Sequence, residues 1–262
     1  MTPSPAHRPM IIAHRGARTE APENTAKAFD AALKHPIDGI EFDVQLSADG
    51  VPVVFHDATL HRIAGSRKRL SSCTLATLRA VDFGIWFNPR FAGEPILTLE
   101  EMLDRYAGKT DLYVEVKSYW KDDSAGRTEA LIRKTLSCIA ARMNRLQARR
   151  IYLLSFDAQV LHRAHEIMPE VAGMRNLDRP PGQPMASVTP TRLRGEIAPE
   201  VSAVNLAYRC LSPELAAEVK GRGKSLFTYT CNTQRQVRMA QSVGVDGVMT
   251  DKPGWLAQAL AE

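Results

Sequence analysis

The sequence predicts an α/β fold: a closed barrel of eight parallel strands ringed by helices, with an insertion after the second strand. Three observations predict it. Short apolar runs alternate with amphipathic segments along the chain. Eight of those runs have strand length and composition, near 10–14, 38–43, 112–117, 151–155, 171–176, 201–206, 225–231 and 246–250. The length of 262 residues suits one large domain over 1–262 better than two small ones. An open doubly wound sheet is the alternative that the same alternation allows.

Taken in order, the first strand ends at Ala13-His14-Arg15-Gly16 and leads to a helix near 23–34. The second ends at Glu41-Phe42-Asp43. A ninth strand-like run, 51–56, follows with no helix between, and Ser47-Ala48-Asp49-Gly50 reads as a four-residue turn. With Leu46 opposite Val51, the hairpin sets Glu41 opposite His56 and Asp43 opposite Val54. The extra strand then returns His56 to the level of the carboxylates and stands outside the barrel count.

The connection 57–108 is too long for a plain strand-to-helix loop, and it is the predicted insertion. Helical pieces fall near 75–81 and 98–107, the second with Thr98 and Glu101 at capping-box spacing. Its aromatics, Phe83, Trp86, Phe87 and Phe91, either wall a pocket or form a small satellite core. Further helices fall near 126–147, 157–168, 213–221, 233–243 and 253–260. Asp157 can cap the second of these, Pro213 takes the first helical position of the third, and Thr233 with Gln236 forms a second capping-box pair. The Pro-rich stretch 178–199 predicts a loop with a short helix.

Bulk properties narrow the function classes. The formal charge of +5 and pI of about 9.1 favour anionic ligands mildly. The densest basic stretches, 67–69 and 142–150, lack interleaved aromatics, so they do not predict nucleic-acid binding. Cys73, Cys138, Cys210 and Cys231 form no CxxC pair, which predicts reduced thiols and a cytoplasmic setting. Residues 1–5 carry no apolar run of the signal-peptide kind, and no stretch has membrane-spanning length, so stable membrane association is not expected. Monomer and homodimer both remain open.

The chemistry gathers at the strand ends. Residues i and i+2 of a strand share a face, so Glu41 projects with Asp43, and Glu115 with Lys117. Carboxylates from neighbouring strand ends can meet at one divalent cation, Mg2+ or Ca2+, both of which take hard oxygen ligands. Taken singly, each acid also fits an ion pair with Arg15 or Lys117. His14 and His56 titrate near neutrality and suit proton transfer to and from a phosphodiester. Arg15 and Lys117 suit the phosphate itself. Adjacent strand residues face opposite ways, so Arg15 must reach the site from a turn, which Gly16 permits. A Schiff-base lysine is the other reading of Lys117, but nearby acids would hold it protonated. His162 and His165 read as surface residues, and His7, His35 and His61 carry no signal.

These residues resemble the glycerophosphodiester phosphodiesterase family. The resemblance runs through Ala13-His14-Arg15-Gly16, Pro22-Glu23-Asn24-Thr25 and Gly39-Ile40-Glu41-Phe42-Asp43-Val44. It continues in Asp49 to Asp57, Leu60 and Arg62, Trp86-Phe87, Phe91 to Glu94, Thr98 to Glu101, Glu115-Val116-Lys117, Ser155-Phe156, and Gly244 to Gly247 with Thr250-Asp251-Lys252-Pro253. It implies a TIM barrel and hydrolysis of a small-molecule glycerophosphodiester to glycerol 3-phosphate and an alcohol. It implies that Glu41, Asp43 and Glu115 bind the cation, that His14 and His56 are the acid-base pair, and that Arg15 and Lys117 contact phosphate. It further implies attack by the glycerol 2-hydroxyl, giving a cyclic phosphate that water opens. Two segments depart from the family pattern. Tyr229-Thr230-Cys231-Asn232 stands where a Trp-Thr-Val-Asn run is frequent, so Tyr229 is expected to give a smaller aromatic wall to the substrate. Ile63 to Arg69 replaces a Thr- and Gly-rich turn. A lysophospholipase D-like enzyme and a non-catalytic phosphodiester-binding barrel are the alternatives.

Overall fold

The computed structural model describes residues 8–118, 126–142, 151–178 and 188–261. Its strands are β1 (Met10–His14), β2 (Gly39–Leu46), β3 (Pro52–Val54), β4 (Asp111–Val116), β5 (Ile151–Ser155), β6 (Ala172–Leu177), β7 (Val201–Ala207), β8 (Ser225–Tyr229) and β9 (Gly247–Thr250). Eight of them pair in parallel in the order β1-β2-β4-β5-β6-β7-β8-β9 and close back on β1. Helices stand between successive barrel strands, so the architecture is the predicted TIM barrel rather than an open sheet.

The barrel interior is filled from below by Ile12, Tyr113, Tyr152, Leu154, Met174, Ala203, Phe227 and Met249, which form one buried cluster. Tyr113 and Tyr152 stack with centroids 4.8 Å apart. Room for these rings comes from Gly39 and Gly247, where an added Cβ would lie 2.5 Å from Tyr113 and 2.3 Å from Phe227. The aromatic floor forces polar side chains of the same strands to the upper, C-terminal end, where the loops converge. Two larger apolar clusters fill the layer between strands and helices, one around Phe29, Phe42 and Leu136, the other around Val204, Val219 and Val248.

Helix starts follow their local signals. Thr98 and Thr233 close both halves of a capping box with Glu101 and Gln236. Asp157 and Ser212 accept the expected first-turn amides. A helix at Pro190–Glu196 occupies the described part of the Pro-rich stretch. The first helix is shorter than its periodicity predicts, Ala26–Ala32, because Thr25 caps it and Asn24 holds a left-handed φ of +58°. The end of the predicted 126–147 helix and most of the basic stretch 142–150 lie outside the described residues.

The hairpin forms, but its register is one residue from the expected one. Val44, Gln45 and Leu46 face Val54, Val53 and Pro52. The turn closes on Ser47, whose N–H donates to the Val51 carbonyl at 2.9 Å, with Gly50 at φ +76° as the left-handed residue. Three residues therefore separate the closing pair, where the sequence reading placed four. Asp43 consequently faces Phe55, whose N–H donates to its carbonyl at 3.0 Å. Continued in this register, the strand would turn His56 away. The strand instead ends at Val54, and Gln45 Nε2 gathers the carbonyls of Phe55 and Asp57 at 2.7 and 3.0 Å. That bend carries His56 to the barrel mouth.

The insertion buries its own satellite core, in which Phe83 packs with Val53, Phe55, Leu70 and Ile96. Phe87 stacks edge-on between Trp86 and Phe91, away from the cleft described below. Among the described residues no helix is long and apolar enough to cross a membrane.

Candidate active site

Seven of the eight site residues expected from the sequence line one cleft of about 190 Å3 at the barrel mouth: His14, Arg15, Glu41, His56, Glu115, Lys117 and Tyr229. The eighth, Asp43, lies just beneath. Glu41, Asp43 and Glu115 each offer a carboxylate oxygen within 4.8 Å of the others. β2 supplies the first two at i, i+2, and β4 aligns Glu115 beside Asp43.

All three acids are buried, with Asp43 at 0% exposure and Glu41 at 1%. Burial, then the charges of Asp43 and Glu115, push the Glu41 carboxyl well above the usual range, against the pull of Arg15 and Lys117. Among the described residues Glu41 Oε1 has no hydrogen-bond partner, while Oε2 accepts from the Arg15 N–H at 3.0 Å. Asp43 behaves oppositely. Burial would raise its carboxyl, but Lys117 and Arg15 hold it far below the usual range.

The cations interleave with these acids. Lys117 Nζ lies 2.8 Å from Asp43 Oδ1 and also contacts Glu115 Oε1. Burial alone would lower its pKa, but Asp43 and Glu115 outweigh burial and keep the ammonium charged. Arg15 enters from a turn as expected, with φ +57° at Arg15 itself and +83° at Gly16. Its Nε stands 3.2 Å from Asp43 Oδ2, and its Nη1 donates to Glu23 Oε1 at 2.9 Å.

Each cleft histidine is backed by an aspartate. His14 Nδ1 meets Asp251 Oδ1 at 2.7 Å, and His56 Nδ1 meets Asp57 Oδ1 at 2.7 Å. Burial, then the neighbouring Arg15 charge, lower the His14 pKa from 6.5 to about 4, although Asp251 pulls the other way. Beside this cleft, a second lobe of about 220 Å3 opens between the ends of β4 and β5, lined by His56, Glu115, Lys117, Ser118, Ser155 and Phe156. Tyr229 walls the first lobe, packs edge-on to Phe156 at 6.1 Å, and donates its hydroxyl to the Leu177 carbonyl at 3.3 Å. His162 is exposed and pairs with Glu200, as a surface residue does.

Several site residues escaped the sequence reading. Asp57 and Asp251 stood inside the motifs but received no role, since nothing in the spacing joins Asp251 to His14. Glu23 is enclosed by Arg15, Arg18 and Arg62, with Nη contacts of 2.7–2.9 Å. Asn24 donates to Asp43 Oδ2 at 2.8 Å. Asn176 and Asn205 are polar residues at buried positions of β6 and β7, and that burial pattern is the signal that marks them.

Comparison with known proteins identifies the family. A model of the glycerophosphoryl diester phosphodiesterase family matches residues 14–255. Over 254 residues the chain is 30% identical to the glycerophosphodiester phosphodiesterase of Bacillus subtilis, covering 94% of this chain and 84% of that protein. The enzyme of the same name from Caldanaerobacter subterraneus is 31% identical over 93% of this chain and 94% of its own. Among solved structures, a phosphodiesterase from Oleispira antarctica, in complex with the product sn-glycerol-3-phosphate, superposes with a TM-score of 0.83 at 27% identity, with 97% of each chain covered. With the match running over nearly the entire barrel, the chain belongs to the glycerophosphoryl diester phosphodiesterase family.

Proposed function

We propose that the protein hydrolyses glycerophosphodiesters to glycerol 3-phosphate and an alcohol, with Glu41, Asp43 and Glu115 holding one divalent cation, Mg2+ or Ca2+. The observation that carries the reading is the convergence of three buried carboxylates, two cationic side chains and two aspartate-backed histidines on one cleft. The acid cluster fits such an ion. It offers only hard oxygen ligands. Glu41 Oε1 is buried without a partner among the described residues. Burial, then the charges of Asp43 and Glu115, push the Glu41 carboxyl well above the usual range, and a bound cation would oppose that shift. When bound, such a cation polarises a phosphoryl oxygen and offsets the carboxylate charge.

The chain's own groups do the rest. Arg15 and Lys117 hold the phosphate oxygens as permanent charges. Asp251 accepts a hydrogen bond from the His14 Nδ1–H, leaving the Nε2 lone pair to the cleft. With its pKa near 4, His14 is neutral at neutral pH and serves as base for the glycerol 2-hydroxyl. That oxygen attacks phosphorus. His56 borders the outer lobe, where the leaving alcohol departs, and gives it a proton. Water then opens the cyclic phosphate. Tyr229 and Phe156 pack edge-on in the wall of the first lobe, and Phe156 also lines the second.

A cytoplasmic setting fits four cysteines that are all free and buried. The deciding experiment is release of glycerol 3-phosphate from glycerophosphocholine, with and without chelator. Release that stops on chelation and resumes with added Mg2+ or Ca2+ is the expected result. No release with either cation would remove the reading.

A further inference from the structure

The relay from Glu115 to the far wall of the cleft is not used by the mechanism above. Asn176 Nδ2 donates to Glu115 Oε2 at 3.2 Å. Asn205 Nδ2 donates in turn to Asn176 Oδ1 at 3.0 Å and faces Met249 Sδ at 3.4 Å. The direction of this chain is dictated at its start. A carboxylate beside Lys117 only accepts, so Asn176 must present its NH2 to it. The Asn176 carbonyl then faces Asn205, which must present its own NH2. One group is left over. Asn205 Oδ1 is an acceptor, 1% exposed at the residue level, with no donor among the described residues. Asn205 lines the cleft together with Leu154, Met249 and Tyr229.

We propose that Asn205 is the specificity residue of a glycerol subsite: its Oδ1 accepts the C1 hydroxyl of a glycerophosphodiester. The proposal rests on the phosphodiesterase reading and deepens it. A buried acceptor without a donor is costly, and a ligand hydroxyl restores the missing bond. The placement follows from the chemistry. The phosphate belongs with Arg15 and Lys117, and the C2 hydroxyl with His14. The third carbon of the glycerol is then placed toward Asn205, whose Oδ1 is an acceptor still without a donor among the described residues. An acyl ester at C1 has no proton to donate. Asn205 therefore selects deacylated glycerol over a lysophospholipid.

The test compares glycerophosphocholine with its C1-deoxy analogue, 2-hydroxypropyl phosphocholine, which keeps the attacking hydroxyl. In the wild type, kcat/KM should fall by roughly 10²-fold or more on the analogue, since a site built to bind a hydroxyl rejects its absence. Asn205→Ala should lose activity on glycerophosphocholine and discriminate between the two substrates by no more than a few-fold. Asn205→Leu, closer in volume, serves if thermal melting shows the alanine variant unfolded. Equal kcat/KM for both substrates in the wild type overturns the proposal, whatever the variants do. So does an Asn205 variant that keeps the wild-type ratio. Failure of the wild type to cleave either substrate with Mg2+ or Ca2+ overturns the phosphodiesterase reading itself, and the subsite with it.

Discussion

His14 Nδ1 and Asp251 Oδ1 lie 2.7 Å apart across 237 positions of chain. Barrel closure makes the contact, because β1 pairs with β9 up to Ala13 and Thr250, one residue short of each partner. Asp251 is itself fixed by Asn232, whose Nδ2 donates to its Oδ2 at 2.7 Å and whose Oδ1 accepts its backbone N–H at 2.9 Å. The imidazole is thereby held in one tautomer before substrate arrives.

The two histidines have separable roles in the proposed mechanism. Replacing either with Ala should lower kcat by roughly 10²–10⁴-fold, the range for loss of a general acid or base. A 4-nitrophenyl ester of glycerol phosphate has a leaving group that needs no proton. It should restore much of the lost rate to His56→Ala and little to His14→Ala. Rescue of His14→Ala instead would exchange the two roles.

Glu41 trades stability for function. Its burial beside Asp43 and Glu115 disfavours the ionised form in the cation-free protein. Glu41→Gln should therefore raise the melting temperature in EDTA. It should also abolish the further rise that Mg2+ or Ca2+ gives the wild type, and lower kcat/KM by about 10²-fold or more. A variant that melts lower in EDTA, or still gains stability from the ion, would contradict the assignment of Glu41 to the cation site.

Acid should remove two contributions to stability, one from His14 and one from Glu23, while protonation of Glu41 works the other way. Below pH 6.5 the unfolded chain protonates His14, while the folded one resists down to about 4. Stability is thus lost as pH falls through that window, by on the order of 3 kcal/mol. Glu23 acts below it. Burial would raise its carboxyl, but Arg15, Arg62 and Arg18 hold it under the ordinary value. Its contribution is present above the unfolded pKa and disappears as pH falls through the folded one. Urea unfolding from pH 7.5 to 3.5 reads both contributions. His14→Asn should flatten the upper one and leave the lower.

Gly16 holds the turn that delivers Arg15. At φ +83°, an added Cβ would meet the Ala28 carbonyl carbon at 2.7 Å. Gly16→Ala should cost more than ~1 kcal/mol in urea unfolding, and it should lower kcat/KM by displacing the guanidinium. A variant as stable and active as the wild type would show that the turn relaxes freely.

The sequence by itself determined what depends on local periodicity. Strand-helix alternation yielded the barrel, and the two-residue repeat of a strand put Glu41 with Asp43 and placed Glu115 at a strand end. These are properties of neighbouring residues on a regular backbone, so the chain displays them before it folds. Tertiary structure decided whatever needed a closure. The hairpin register turned on where the loop closed, at Ser47 rather than Leu46, and a one-residue change reverses every side chain. His56 reaches the cleft because the strand stops at Val54 and Gln45 bends the chain that follows. The pairing of His14 with Asp251, the approach of Arg62 to Glu23, and the relay from Glu115 through Asn176 to Asn205 join residues far apart in sequence. Their spacing carries no signal, because only the ring closure of eight strands brings those ends to one mouth.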